Sequence, residues 1–242
     1  MTSKVSFIFG PVETEIAAKL DDTLHGPARP EKELLKSSTE RLGPEATVSM
    51  QKALFFAKSL QSKDPTHRSF EVYFSHPVRV ASFVLRMQAA PKFETVLIAL
   101  LHNLYELTGM TETDVIREGY SDRMSKAIRL LTIDRLQERN PEYLKRFYGQ
   151  IEAFGPDLSL IRCVDKLDNI MELELIADKD VYSSYLDLAE TFVQPMAQRL
   201  TPEFGAYFAQ VIAALRKRSF QPELRKRYDA LVGAHLKEAS RT

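Results

Sequence analysis

Three short stretches set acid, amide and imidazole side chains into otherwise apolar helical sequence. In LIALLHNLYELTG, residues 97–109, an apolar run turns polar at His102 and Asn103 and again at Glu106. On a helix, residues four apart share a face, so His102 and Glu106 point the same way, with Asn103 about 100° round from His102. In IRCVDKLDNIMEL, Asp165 and Asn169 are likewise four apart, with Asp168 between them. In VYFSHPVRVASFVL, His76 stands immediately before Pro77, a residue that can open a helix. Burying these groups is costly unless something satisfies them, and either a metal ion or a closed hydrogen-bond network does so. Taken singly, each is more often a hydrogen-bonded core residue than a ligand. An imidazole, an imidazole–amide pair and a carboxylate on three separate helices point to a shared centre.

The elements that must position them are helical. Apolar residues recur at helical spacing over 46–62 and 77–89, and 93–107 is apolar nearly all round, which predicts the central buried helix. Further helices are expected near 111–118, 121–133, 141–154, 157–176, 182–200, 202–217 and 221–238. Thr111 and Ser121 are the expected N-caps of two of them. Pro141, Pro156 and Pro222 suit first turns, and Pro195 should kink or split its helix. Only VSFIF, Val5 to Phe9, reads as a strand. Residues 22–45 are polar with three prolines and read as a linker with one short helix. The expected fold is all-α: an N-terminal extension over 1–45, a main domain over 46–205, and C-terminal helices over 206–242 packed on the same domain or mediating a homo-oligomer.

Composition narrows the function classes. Of 242 residues, 33 are Lys or Arg and 33 are Asp or Glu, a formal net charge of zero that removes the usual footprint of a nucleic-acid binder. The one cysteine, Cys163, cannot form an internal disulfide and reads as a small core hydrophobe, which fits a reducing compartment. No secretory or membrane segment is visible, so a cytoplasmic location and no membrane partner are expected. There is no Gly-rich phosphate loop, no Cys pair for zinc and no Gly-x-Ser-x-Gly elbow. The basic run at 216–228 reads as a solvated helix face or an oligomer rim.

The order His … His-Asn … Asp resembles the His … His-Asp … Asp signature of HD-domain metal-dependent phosphohydrolases, which are helical bundles. It is most similar to the subgroup that hydrolyses guanosine 3′,5′-bis(diphosphate), the Rel/Spo-type hydrolases. HRSFEVYFSHPVRVA is similar to that subgroup's Arg-Lys-Ser-Gly-Glu-Pro-Tyr…His-Pro segment, LIALLHNLYELT to Leu-Leu-His-Asp-x-x-Glu-Asp-Thr, LIRCVDKLDNIMEL to Lys-Leu-Ala-Asp-Arg-Leu-x-Asn-Met, and DLAETFVQPMAQRL to the helix that follows. The resemblance runs from about residue 46 to 205. It implies that His76, His102, Asp165 and, at the fourth ligand position, Asn103 hold a divalent metal, Mn²⁺ in this family. It implies that Glu106 positions or deprotonates water, that Arg68 and Asn169 hold the nucleotide, and that Tyr73 packs beside them. Such an ion polarises a phosphate and lowers the pKa of a bound water.

The pattern departs from the family at two charged positions. Asn103 stands where the family has the Asp of His-Asp, and Leu107 where it has the second acid of the Glu-Asp pair. Phe70 also replaces the loop Gly. Each lost unit charge near a divalent ion is worth several kcal/mol before solvation, and about 3 kcal/mol already weakens binding more than a hundredfold. Asp168, three residues beyond Asp165, is either a partial replacement for that charge or a solvated helix residue, the second being the plainer expectation. Two functions therefore compete: a metal-dependent phosphohydrolase acting on a guanosine polyphosphate or related nucleotide, and a degenerate HD domain that binds nucleotide or protein without cleavage.

Overall fold

The computed structural model of the chain describes residues 8–25, 28–60, 70–175, 179–218 and 220–239, without the side chains of 28, 70–73 and 235–239. Among them are fourteen α-helices and no strand, so the fold is all-α as expected. Of the stretch read as a strand, Val5 to Phe7 lie outside the described residues. Ile8 and Phe9 are irregular, and Phe9 stacks on Tyr207 and Phe204 at 4.9 and 5.9 Å.

The N-terminal part departs from the expected linker. It forms α1 (Val12–His25) and α2 (Ala28–Leu42), both docked into the core through Ile16, Leu20 and Leu34. α3 (Pro44–Ser59) follows, then α4 (Phe70–Met87), which starts earlier than the periodicity suggested and carries Pro77 inside it. His76 therefore sits mid-helix and not at a helix entrance.

The central apolar segment is two helices and not one. α5 (Phe93–Leu101) has every residue from Thr95 to Leu101 buried, and it ends at His102; after a turn through Asn103, α6 (Leu104–Leu107) resumes. Next come α7 (Glu112–Arg117) and α8 (Asp122–Leu131), where Thr111 and Ser121 cap as expected; Thr111 forms a reciprocal capping box with Asp114. α9 (Pro141–Phe154) is capped by Asn140, and α10 (Pro156–Ile170) is buried along most of its length. A 3₁₀ turn (Leu173–Leu175) leads to α11 (Lys179–Leu188). A π turn (Ala189–Val193) then precedes α12 (Gln194–Leu200), with Pro195 in the first turn of α12. That is the split expected of a proline without an N–H to donate.

α13 (Pro202–Arg216) packs on α12 at Gly205, where an added Cβ would lie 2.6 Å from the Gln198 Cα, so only glycine permits this approach. α14 (Pro222–Ala239) closes against the 3₁₀ turn, α1 and α4, with Tyr228 buried. Part of the basic run is engaged in ion pairs: Arg216 on Asp187 and Glu190, Arg218 on Glu174, and Arg225 on Asp229. The feature that matters for the site is the triangle of α4, α5 and α10, each packed on the other two.

Candidate metal centre

That triangle brings three side chains to one point. His76 comes from α4, His102 from the end of α5 and Asp165 from α10; they are 4%, 0% and 2% exposed. His76 Nε2 lies 3.3 Å and His102 Nε2 3.5 Å from Asp165 Oδ1, and one ligand atom from each residue falls within 4.8 Å of the others. The two rings meet edge to face at 5.2 Å.

The outer nitrogens fix which atoms face inward. His102 Nδ1–H donates to the Ala99 carbonyl at 2.7 Å, leaving Nε2 toward the centre with no hydrogen bond among the described residues. His76 Nδ1 meets Asp168 Oδ2 at 2.6 Å. An ionised carboxylate only accepts, so Nδ1 carries the proton and Nε2 is the inward nitrogen. Two inward imidazole nitrogens and one carboxylate oxygen, each oriented from behind, are a donor set that fits a divalent transition metal.

Asp165 is held on every side. Its Oδ1 accepts from Asn169 Nδ2 at 2.7 Å and its Oδ2 from Arg162 Nη1 at 2.8 Å. Burial alone would raise its pKa, but Lys166, Arg162 and the two imidazoles hold it well below the usual carboxylate range. Burial and the neighbouring Arg162 push the Lys166 ammonium down to about 8, against the pull of Asp165. For His76, burial favours the neutral ring, yet Asp165 and Asp168 together raise its pKa.

Asp168 fits neither reading made for it from sequence. It is 3% exposed, so it is not solvated, and it faces the outer nitrogen of His76 instead of the centre. Its oxygens accept a fork from Arg79 at 3.0 and 3.2 Å and a bond from Lys19 Nζ at 2.6 Å. Lys19 also reaches Glu172 at 2.7 Å, and Arg79 lies 3.5 Å from it.

The remaining candidates have other surroundings. Asn103 follows His102 in the turn and, with Phe74, Pro77, Leu104 and Leu107, lines a small apolar cavity. Glu106 is paired with Arg135, whose Nε donates at 2.8 Å and whose second nitrogen donates to the same oxygen. Asn169 orients Asp165. Arg68 lies outside the described residues, as does the side chain of Tyr73. Cys163 is fully buried, and burial pushes its thiol far up, as suits a core hydrophobe.

The sequence reading missed the cations Lys19, Arg79, Arg162 and Arg135. Two had a local signal: Arg162 is three residues before Asp165 and Arg79 three after His76, each on the same helical face. Lys19, 149 residues from its partner, had none.

The network has a consequence for stability. Burial would raise the Glu172 carboxyl, but Lys19 and Arg79 depress it from 4.5 to about 2, and Arg79 and Lys19 hold Asp168 well below its usual range. Depressed carboxylates contribute stability above their unfolded pKa and lose it as pH falls through the folded value. Unfolding free energy should therefore drop between about pH 4.5 and 2, by on the order of 2–3 kcal/mol from Glu172 alone. Glu172→Gln should flatten that slope in urea melts taken across this range; an unaltered slope would contradict the assignment.

No protein-family model matches this chain, and no curated protein matches it. Among solved structures, it is similar to a metazoan ortholog of SpoT, described as hydrolysing ppGpp and playing a role in starvation responses. The two are 19% identical over 77% of this chain and 92% of that chain, with a TM-score of 0.46.

Proposed function

We propose that the chain is an HD-type phosphohydrolase whose His76–His102–Asp165 centre takes a divalent ion, Mn²⁺ by the resemblance to that family, and acts on the 3′-diphosphate of a guanosine polyphosphate or a related nucleotide. The observation that carries this is the convergence of the inward nitrogens of two buried histidines on one buried aspartate oxygen. The order of the motifs, His-Pro, His-Asn-x-x-Glu and Asp-x-x-x-Asn, supports the same reading. A bound divalent ion supplies Lewis acidity toward a phosphate and a more acidic water.

The chain's own residues then divide the work. Asp165 offers Oδ1 while Asn169 and Arg162 keep its carboxylate from rotating. Ala99 and Asp168 hold the outer nitrogens of His102 and His76. The side-chain carbonyl of Asn103 would be the fourth donor. Glu106 orients the attacking water once its bond to Arg135 opens, and Arg68 with Asn169 meets the nucleotide.

A second reading, in which the domain binds a nucleotide without cleaving it, is favoured by charge. Lys19, Arg79, Arg162 and Lys166 crowd Asp165, Asp168 and Glu172, so the buried acids are already neutralised before any metal arrives. A dication entering there meets repulsion that a His-Asp pair would offset and His-Asn does not.

Elemental analysis and calorimetry with Mn²⁺, followed by a pyrophosphate-release assay on guanosine 3′,5′-bis(diphosphate), separate the readings. Stoichiometric Mn²⁺ with pyrophosphate release supports the hydrolase. Nucleotide binding without release supports the second reading. Neither metal nor nucleotide binding discards both.

A further inference from the structure

Lys19 is an unusual residue to find at the bottom of a helix interface. It is 4% exposed and lies on the same α1 face as Ile16 and Leu20, both buried, where an apolar side chain would complete the packing at far lower desolvation cost. Its ammonium instead spans two acids, Asp168 Oδ2 at 2.6 Å and Glu172 Oε1 at 2.7 Å. Thr23, one turn further along α1, donates to the same Glu172 oxygen. Asp168 Oδ2 is also the atom that accepts from His76 Nδ1 at 2.6 Å. The chain of contacts thus runs from α1 through one carboxylate oxygen to the outer edge of a ring whose inner edge faces Asp165.

We infer that Lys19 is a positioning residue: from α1 it holds Asp168, and through Asp168 it locks the His76 imidazole with Nε2 turned toward His102 and Asp165. The inference rests on the reading of these three residues as a metal centre. The physical reason is local balance. Asp168 and Glu172 lie one helical turn apart and share Arg79, which reaches Asp168 at 3.0 Å and Glu172 at 3.5 Å. Without Lys19, one guanidinium must serve a buried and a half-buried carboxylate that repel each other, and Asp168 can swing from His76. The ring then loses the carboxylate that faces its outer nitrogen, and with it the preference for one ring flip over the other.

The test uses full-length protein labelled with ¹⁵N-histidine, first without metal. The Nδ1 proton of His76 should give a slowly exchanging downfield signal, assigned by its loss in His76→Gln. Lys19→Met should shift or broaden that signal while the other histidine signals stay in place, and Lys19→Arg should retain it. Titration with Mn²⁺ should give a Kd raised roughly tenfold to a hundredfold in Lys19→Met and within about threefold of the parent in Lys19→Arg. An unchanged signal in Lys19→Met, or no such signal in the parent protein, overturns the inference. Should Lys19→Met fail to fold, Lys19→Met combined with Glu172→Gln removes one charge of each sign and is read by the same signal. If the parent binds no Mn²⁺, the metal reading falls, and the histidine signal alone decides whether Lys19 positions the ring.

Discussion

Asp165→Asn is expected to abolish Mn²⁺ binding and, in the same protein, to lower the melting temperature by roughly 6–12 °C. Among the described residues, Asp165 is the carboxylate whose oxygen meets both inward imidazole nitrogens. Removing its charge takes on the order of 4 kcal/mol from a divalent ion in a low-dielectric site, about a thousandfold in Kd. The stability loss has a different origin. Arg162 is 2% exposed and donates to Asp165 at 2.8 Å, its charge 4.9 and 5.5 Å from the ring centroids of Phe147 and Tyr148. Neutralising its partner leaves a buried guanidinium uncompensated, which costs about 3 kcal/mol or more, and for a chain of this size each kcal/mol is worth about 2–4 °C. Arg162→Met separates the two effects. It should also destabilise, since Asp165 loses a partner, yet it should tighten Mn²⁺ by about tenfold, because the ion then no longer competes with the guanidinium for the carboxylate. Calorimetric titration beside thermal melts of both variants checks this. Weaker Mn²⁺ binding in Arg162→Met would mean that Arg162 assists the ion instead of opposing it.

That competition also marks where the sequence was legible and where it was not. The cluster of His76, His102 and Asp165 could be read because each member interrupts a strongly periodic apolar helix, and a polar residue on a buried face is conspicuous in one dimension. Helix ends were readable where a side chain caps them, as at Thr111 and Ser121, or where a proline forces the backbone, as before Pro195. The interruption at His102–Asn103 was hidden because its flanks are apolar on both sides, and no Gly or Pro announces it. α2 was hidden for the opposite reason: its charged residues and the surrounding prolines mask the leucines that bury it. Asp168 was misjudged because spacing tells which face a residue is on and not which partner waits there. Its partners come from α1 and α4. A buried cation supplied by a distant helix leaves no periodic trace, so the charge balance of the centre became visible only in three dimensions.

Asn103→Asp together with Leu107→Asp should strengthen Mn²⁺ binding by at least a hundredfold and bring a rise in pyrophosphate release from guanosine 3′,5′-bis(diphosphate). The two substitutions act at different places. Asn103 sits directly after His102 in the turn between α5 and α6, so a carboxylate there adds a full negative charge beside His102. That charge opposes the excess of cations contributed by Arg162 and Lys166. Leu107 lines the same small cavity as Asn103, with Phe74, Pro77 and Leu104 as neighbours. An acid at 107 is costly in that setting unless a cation receives it, so Leu107→Asp alone should lower stability by about 1–3 kcal/mol and regain part of it when Mn²⁺ is added. Glu106 supplies the remaining control. Its carboxylate is engaged by Arg135, which also donates to Glu138 at 2.9 Å. Adding Arg135→Gln to the double variant should therefore raise turnover further without altering Mn²⁺ affinity, because it frees a base and leaves the ligands untouched. Tighter metal binding with no turnover, even in the triple variant, would assign the domain to nucleotide recognition alone. Unchanged metal binding in the double variant would mean that the cations behind Asp165 and Asp168, and not the missing acids, set the affinity of this centre.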